Sequence, residues 1–407
     1  MKTKNLILLL LLTFVMFSCK KEEAISPKPQ LKHLNLDYAG QKTVSANNDF
    51  AINLYKKTAL NATENMMVSP LSISLALGMT YNGAAGTTRT AMEQALSLNG
   101  LTAHEINSSF KLLSDYLQTV DPTVTMKIAN SIWYRNDFSV LQNFLDTNTF
   151  YYNALINSVD FSNPNTKNII NKWVADNTNN KIKEIVSNIN PNDVMFLINA
   201  VYFLGNWTYE FDPSDTDPEN FTLSNGSNKT VDMMEIQSNF LYANNNLLQI
   251  VELPYGYERY SMLLLKPMPN HSTDDIINAL STSNFNKWVN SMKITDDLIV
   301  KIPKFKFEYE KKLNDVLSDL GMSEAFSSQA DFTNINAAGN LFISRVKHKT
   351  FIDVNEKGTE AAAVTSVGIS FTSMPDAFVA DEPFLFIIRE KESNALIFMG
   401  RVEEPTY

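Results

Sequence analysis

The sequence predicts an α+β fold, with helices concentrated early in the chain and strands concentrated late. Three observations carry this. Amphipathic runs with polar cap residues recur before residue 180, whereas alternating or continuously apolar runs of strand length dominate after residue 193. No Pro- or Gly-rich linker interrupts the chain after its first forty-odd residues, so one large mixed domain is expected. The third observation is the stretch Glu356 to Ser373, which Gly358 opens. Thr359, Ala361, Ala363, Thr365, Val367 and Ile369 occupy every second position, against a more polar alternate set containing Glu360, Ala362, Val364 and Ser366. A period of two marks a strand with one buried face. The inward set starts small and grows, as a strand entering between two existing strands requires. Taken alone, the stretch fits an edge strand or a small-residue surface loop equally well.

In chain order, Asn47 and Asn48 offer a cap, and Asp49 suits the first turn of a helix running to about Leu60. Met66 to Val68 reads as a strand end that turns at Ser69-Pro70 into a buried helix reaching Gly83. Ala84-Ala85-Gly86-Thr87-Thr88 forms a turn and an N-cap before a helix with Met92, Ala95 and Leu96, and Glu105 to Leu117 forms another. Val124 to Tyr134 alternates as a strand, and helices follow near residues 140–152 and 165–177. Asp193 to Leu204 is nearly continuously apolar, the pattern of a central strand buried on both faces. Further strand-like runs cover 230–235, 247–253, 259–266 and 298–308, and a helix near 311–320 ends at Gly321. Pro383 to Ile388 and Ala395 to Val402 complete the strands.

The 407 residues are 44% hydrophobic, ample for a large core. A net charge of −10 argues against nucleic acid and heparin-like polyanions as partners, and residues 86–118 hold few basic side chains. Cys19 is the only cysteine, so no intramolecular disulfide forms and stability comes from packing. Lys2 and Lys4 precede an apolar run from Leu6 to Phe17, which with Ser18 reads as a secretory signal over residues 1–18. Residues 20–46 are polar, carry Pro27 and Pro29 and read as a tether, leaving 47–407 as the folded domain. There is no Gly-x-Ser-x-Gly, no His-Glu-x-x-His and no histidine in an acid–nucleophile context, so hydrolase, metal and cofactor chemistry are not expected.

Several motifs together resemble the serpin family over residue 47 to the end. Ser69-Pro70-Leu71-Ser72-Ile73 is similar to the start of its second helix, and Ala129-Asn130-Ser131-Ile132-Trp133 to the strand bordering its insertion gap. Ile170-Asn171-Lys172-Trp173-Val174 with Thr178 and Lys181-Ile182 is a further match, departing at Asn180, where the family usually has glycine. Asparagine is the residue that best tolerates the left-handed backbone there. Asn199 to Trp207, His348 within Val346-Lys347-His348-Lys349, Glu356 to Thr365, and Phe398 to Val402 with Pro405 complete the set.

The resemblance implies three β-sheets, eight or nine helices and an exposed reactive loop at about 356–382. It also implies inhibition of serine proteases, and by extension cysteine proteases, through a covalent acyl complex. The protease nucleophile attacks a loop carbonyl, and the cleaved loop then enters the large sheet as a new strand, an established case of strand addition. Glu356, Gly358, Thr359, Ala361, Ala362 and Ala363 match the hinge, where insertion needs small, uncharged inward residues. Counting from Glu356 and back from Pro383 places the scissile bond at Thr372-Ser373, with Phe371 the alternative; elastase-, chymotrypsin- or subtilisin-like targets follow. Ser69, Ser72, Asn199 and His348 match the shutter beneath the gap, and Trp207 and Lys304 the breach at its top, Lys304 paired with Glu356. Cys19 resembles the lipidated cysteine of bacterial lipoproteins, and Lys20-Lys21-Glu22-Glu23 resembles the export signal of Bacteroidetes lipoproteins. A monomer anchored at the outer membrane or cell surface is the expectation, with a periplasmic or secreted protein as the alternative. A non-inhibitory serpin acting as a carrier, chaperone or adhesion module is the rival function.

Overall fold

Most helices begin where the sequence supplies a side-chain acceptor for their free N–H groups. The chain was studied as a computed structural model that describes residues 31–60, 62–359 and 376–407. Helix α1 (Tyr38–Ala59) starts behind Asp37, whose carboxylate accepts from Gly40 N–H at 2.8 Å. This cap lies ten residues ahead of Asn47, the first of those expected, and Ala39, Thr43, Val44 and Ala46 are buried on the helix. The expected tether over 20–46 therefore gives way to packed structure from Tyr38 onward. Ser69 caps α2 (Pro70–Tyr81), with proline at the position whose N–H is dispensable. Helix α3 (Gly86–Ala95) follows, and α4 (Ala103–Leu117) opens with a reciprocal capping box between Thr102 and Glu105.

Two hydrogen-bonded sheets carry the rest. The first, with six strands, runs in the order β10 (Phe305–Lys312), β11 (Lys347–Asn355), β12 (Gly358–Thr359), β4 (Met195–Asn206), β2 (Thr125–Arg135) and β3 (Leu155–Val159). Helices α5 (Gln142–Tyr152) and α6 (Thr166–Asn177) lie in the connections between its strands. Asn180, after α6, takes φ of 59°, the left-handed conformation expected of it. The second sheet orders β1 (Met66–Val68), β15 (Leu396–Val402), β14 (Phe384–Glu390), β8 (Tyr260–Pro267), β7 (Leu248–Tyr255), β6 (Asn228–Asn244), β9 (Lys293–Pro303) and β13 (Ala377–Val379), with β5 (Thr216–Thr222) also on β6. The second and third sheets of the expected trio are joined through β6. Its first half pairs with β5, its last four residues pair with β7, and a register shift between Ser238 and Phe240 bends the strand between them.

Helices α7 (Thr273–Ala279), α8 (Thr282–Ser291) and α9 (Asn314–Leu317) complete nine α-helices among the described residues. The run expected as one strand over 298–308 breaks at Lys304, the residue between β9 and β10, so its halves serve different sheets. The helix expected near 311–320 shrinks to α9 followed by a wider turn, because Gly321 adopts φ of 107°. Strands β14 and β15 are buried along their whole length, with a main core of α1, α2, α4 and both sheets around them.

Candidate functional site

Strands β4 and β11 should be neighbours, yet among the described residues they meet only through the two residues of β12. Gly358 and Thr359 pair antiparallel with Asn355 and Val354 on one side and with Asn206 and Gly205 on the other. Below that bridge, a cavity of about 650 Å³ runs between the two strands, lined by Met195 to Val201, by Ser344 to Thr350 and by the start of α2. This corrects the expectation for residues 193–204. Met195, Phe196 and Leu197 are only half-buried, because that end of β4 faces the cavity.

The backbone at the head of the cavity permits little variation. Gly358 takes φ of 149°, and a Cβ there would lie 2.1 Å from the carbonyl oxygen of Gly205. Only glycine lets the chain turn out of β11 and immediately join β4. Thr359 is 6% exposed, and its Oγ1 lies 2.7 Å from the hydroxyl of Tyr255, whose ionisation burial pushes far up. Trp207 stacks on Tyr255 with ring centres 4.4 Å apart and 15° between planes. Its Nε1 donates to Asn355 O at 3.0 Å, and its backbone N–H donates to Lys357 O at 2.8 Å. Phe211 N–H donates to Glu356 O at 2.8 Å. The turn from Asn355 to Gly358 is thus held by its own carbonyls.

Lys304 and Glu356 form the expected ion pair, Nζ to Oε1 at 3.2 Å, and both side chains are more than four-fifths sheltered. Thr216 Oγ1 also donates to Glu356 at 3.1 Å. Burial alone would raise the Glu356 carboxyl, but hydrogen bonds and Lys304 hold it below its ordinary value.

The polar group beneath the cavity is only partly assembled as expected. His348 Nε2 accepts from Ser69 N–H at 2.9 Å, which leaves the ring proton on Nδ1. Burial lowers its pKa to about 4, so the ring is neutral at neutral pH. Ser69 Oγ donates to Ile397 O at 2.8 Å and accepts from Ser72 N–H at 3.3 Å, so Ser72 joins through its backbone. Asn199 does not meet His348. Its Nδ2 donates to Asn130 Oδ1 at 2.7 Å, Asn130 donates to Tyr152 O at 2.7 Å, and Asn199 Oδ1 is buried without a partner. Asn199 on β4 and His348 on β11 line opposite sides of the cavity. Partners that can be exchanged suit two strands that separate and rejoin.

Ala361, Ala362 and Ala363, the bond candidates Phe371, Thr372 and Ser373, and Cys19 lie outside the described residues. Sequence reasoning missed Tyr255, Thr216 and Asn130 as site residues. Asn130 stood inside a quoted motif, whereas Tyr255 and Thr216 sit in runs with nothing to set them apart. Among the described residues, no cluster of side chains suits a metal ion, and no helix is long and apolar enough to cross a membrane.

Comparison with known proteins bears on the whole constellation. Residues 45–405 match the model of the family described as Serpin (serine protease inhibitor). The chain is 36% identical to human neuroserpin over 378 residues, covering 88% of this chain and 90% of that protein. It is 33% identical to intracellular coagulation inhibitor 2 of Tachypleus tridentatus, covering 99% of each. Among solved structures it is similar to the thermophilic serpin Tengpin in its native state, with a TM-score of 0.82, 36% identity, and 92% and 96% of the two chains covered. With its family model matched over residues 45–405, the chain belongs to the serpin family.

Proposed function

We propose that the protein inhibits serine proteases as a suicide substrate, with cysteine proteases a secondary class. One observation carries this. The chain leaving β11 already pairs with both β11 and β4, antiparallel to each, at the head of the cavity that separates them. A strand continuing from Thr359 has its direction and its two partners set in advance. From Thr359 to Thr372 such a strand spans about 45 Å at roughly 3.3 Å per residue. About two dozen ladder bonds, each contributing roughly 0.5–1.5 kcal/mol, release on the order of 10–30 kcal/mol. That exceeds the stability of an ordinary domain, so an acylated protease dragged along by the loop can be deformed at its oxyanion hole and stall before deacylation. The inhibitor itself supplies no catalytic group.

Incubation with elastase-, chymotrypsin- and subtilisin-type enzymes tests the reading. A denaturant-stable covalent complex supports it, and clean cleavage with no complex would favour the carrier, chaperone or adhesion role. Our reading of the bond is Thr372-Ser373, which selects elastase-like enzymes through a small β-branched residue. The released carboxyl fragment would then begin at Ser373, whereas a fragment beginning at Thr372 would place the bond after Phe371. We also propose a monomer lipidated at Cys19 and held at the outer membrane or cell surface, of the kind found in Bacteroidetes. Fatty-acid labelling that is lost in Cys19→Ala would support the anchor.

A further inference from the structure

The ion pair at the hinge root carries a neighbour whose place the sequence did not announce. Thr406 and Tyr407 fold back along β10: Lys306 N–H donates to Thr406 O at 2.7 Å, and Thr406 Oγ1 donates to Lys306 O at 3.2 Å. This pairing swings the Tyr407 ring over the lysines. Lys304 Nζ stands 4.4 Å from the ring centre and Lys306 Nζ 5.9 Å from it. Asp353 and Asn355, at the end of β11, also act on the Tyr407 hydroxyl, whose ionisation partial burial pushes up. Lys306 in turn pairs with Asp353 at 2.9 Å. One aromatic ring therefore lies over both Lys304 and Lys306, beside the turn that begins the hinge. The ring is itself 59% exposed, while the Lys304 side chain it lies over, which binds Glu356, is only 18% exposed.

We propose that Tyr407 is a positioning residue for the hinge, holding Lys304 onto Glu356 and so keeping the Asn355–Gly358 turn closed until the loop is cut. The physical basis is the attraction between an ammonium and the face of an aromatic ring, which strengthens where water is excluded. Closure of the turn matters because its carbonyls hold Trp207 and Phe211, and the turn is the fixed end from which any inserting strand grows. The proposal deepens the inhibitory reading and rests on it for its functional consequence. Its structural core can be read without any protease.

The test uses the full chain with Tyr407→Phe, which keeps the ring face, and Tyr407→Leu, which keeps apolar bulk without it. Each is also made in a Lys304→Met background. The amides of Trp207 and Phe211 bond to the carbonyls of Lys357 and Glu356, so their hydrogen exchange reports opening of the turn. Tyr407→Leu should exchange about fivefold faster at these two amides, corresponding to about 1 kcal/mol, while amides in β8 stay at the wild-type rate. Tyr407→Phe should remain within about twofold of wild type, and the Leu substitution should add nothing once Lys304 is Met. Wild-type exchange in Tyr407→Leu overturns the proposal, as does an equal acceleration in the Lys304→Met background, since the ring would then act without the lysine. Incubated at raised temperature without protease, Tyr407→Leu should also lose trapping-competent monomer about fivefold faster. A wild-type protein that forms no covalent complex would sink the inhibitory reading, and the amide data would still decide the role of Tyr407.

Discussion

Thr359→Arg probes the point where the inserting strand begins. The wild-type side chain is buried, bonded to Tyr255 at 2.7 Å, and lies beside a small cavity of about 30 Å³ walled by Met67, Val201, Phe203 and Ile352. That space cannot take a guanidinium. Leaving the buried Tyr255 hydroxyl without a partner costs about 1–3 kcal/mol. Burying an unpaired charge costs several kcal/mol more. Together the penalty is roughly 5 kcal/mol, or between three and four orders of magnitude in a rate. The arginine is therefore expelled from the sheet in the intact protein and can re-enter only at this cost, so insertion slowed by up to that factor loses the race against deacylation and the variant should be cleaved and released as a substrate. The assay is the ratio of covalent complex to cleaved inhibitor on a denaturing gel, run against the enzyme that wild type traps best. A variant that still traps protease with wild-type efficiency would refute the claim that insertion requires this position to be held in the sheet.

Gly358→Ala should displace the hinge, since its Cβ would approach a backbone carbonyl at 2.1 Å with φ at 149°, and neither can relax without breaking the pairing of β12. A loss of about 2 kcal/mol in chemical denaturation of the intact protein is expected, and an unchanged midpoint would contradict the geometry. His348 sets a pH dependence of definite sign. The unfolded chain takes up its proton near pH 6.5, whereas the native ring resists until about 4, so stability falls as pH drops through that window and is flat above it. The total is roughly 3 kcal/mol, so this pH dependence should be lost in His348→Gln and appear in full in the difference between wild type and variant, and a difference that does not change with pH would contradict a neutral native ring.

What the residues disclosed in advance follows a physical division. Motifs built from local geometry were legible: Ser69-Pro70 as the turn from strand into helix, Asn180 in the left-handed conformation, and Gly358 as the residue that opens the short strand after β11. The Lys304–Glu356 pair was legible only through likeness to relatives, since 52 residues separate its members. Tyr255 and Tyr407 were not legible at all. Each acquires its place from a strand pairing set far away in the chain, and neither stands in a pattern that period or charge could expose. The same cause explains the shared strand β6 and the break at Lys304. A continuous run of β-forming residues does not show which sheet each half will join. Asn199 lines the cavity, but its partner is Asn130 on the opposite neighbour β2 rather than His348, and sequence says nothing of which way an amide turns.

The most direct test compares the thermal stability of the intact protein with that of the same protein nicked once in the reactive loop and kept whole. If the loop completes the sheet between β4 and β11, the nicked form melts far higher, by tens of degrees or beyond the range of the scan, as a gain on the order of 10–30 kcal/mol requires. A nicked form that melts at or below the intact protein would mean that no strand is added. Inhibition by strand insertion would then be excluded.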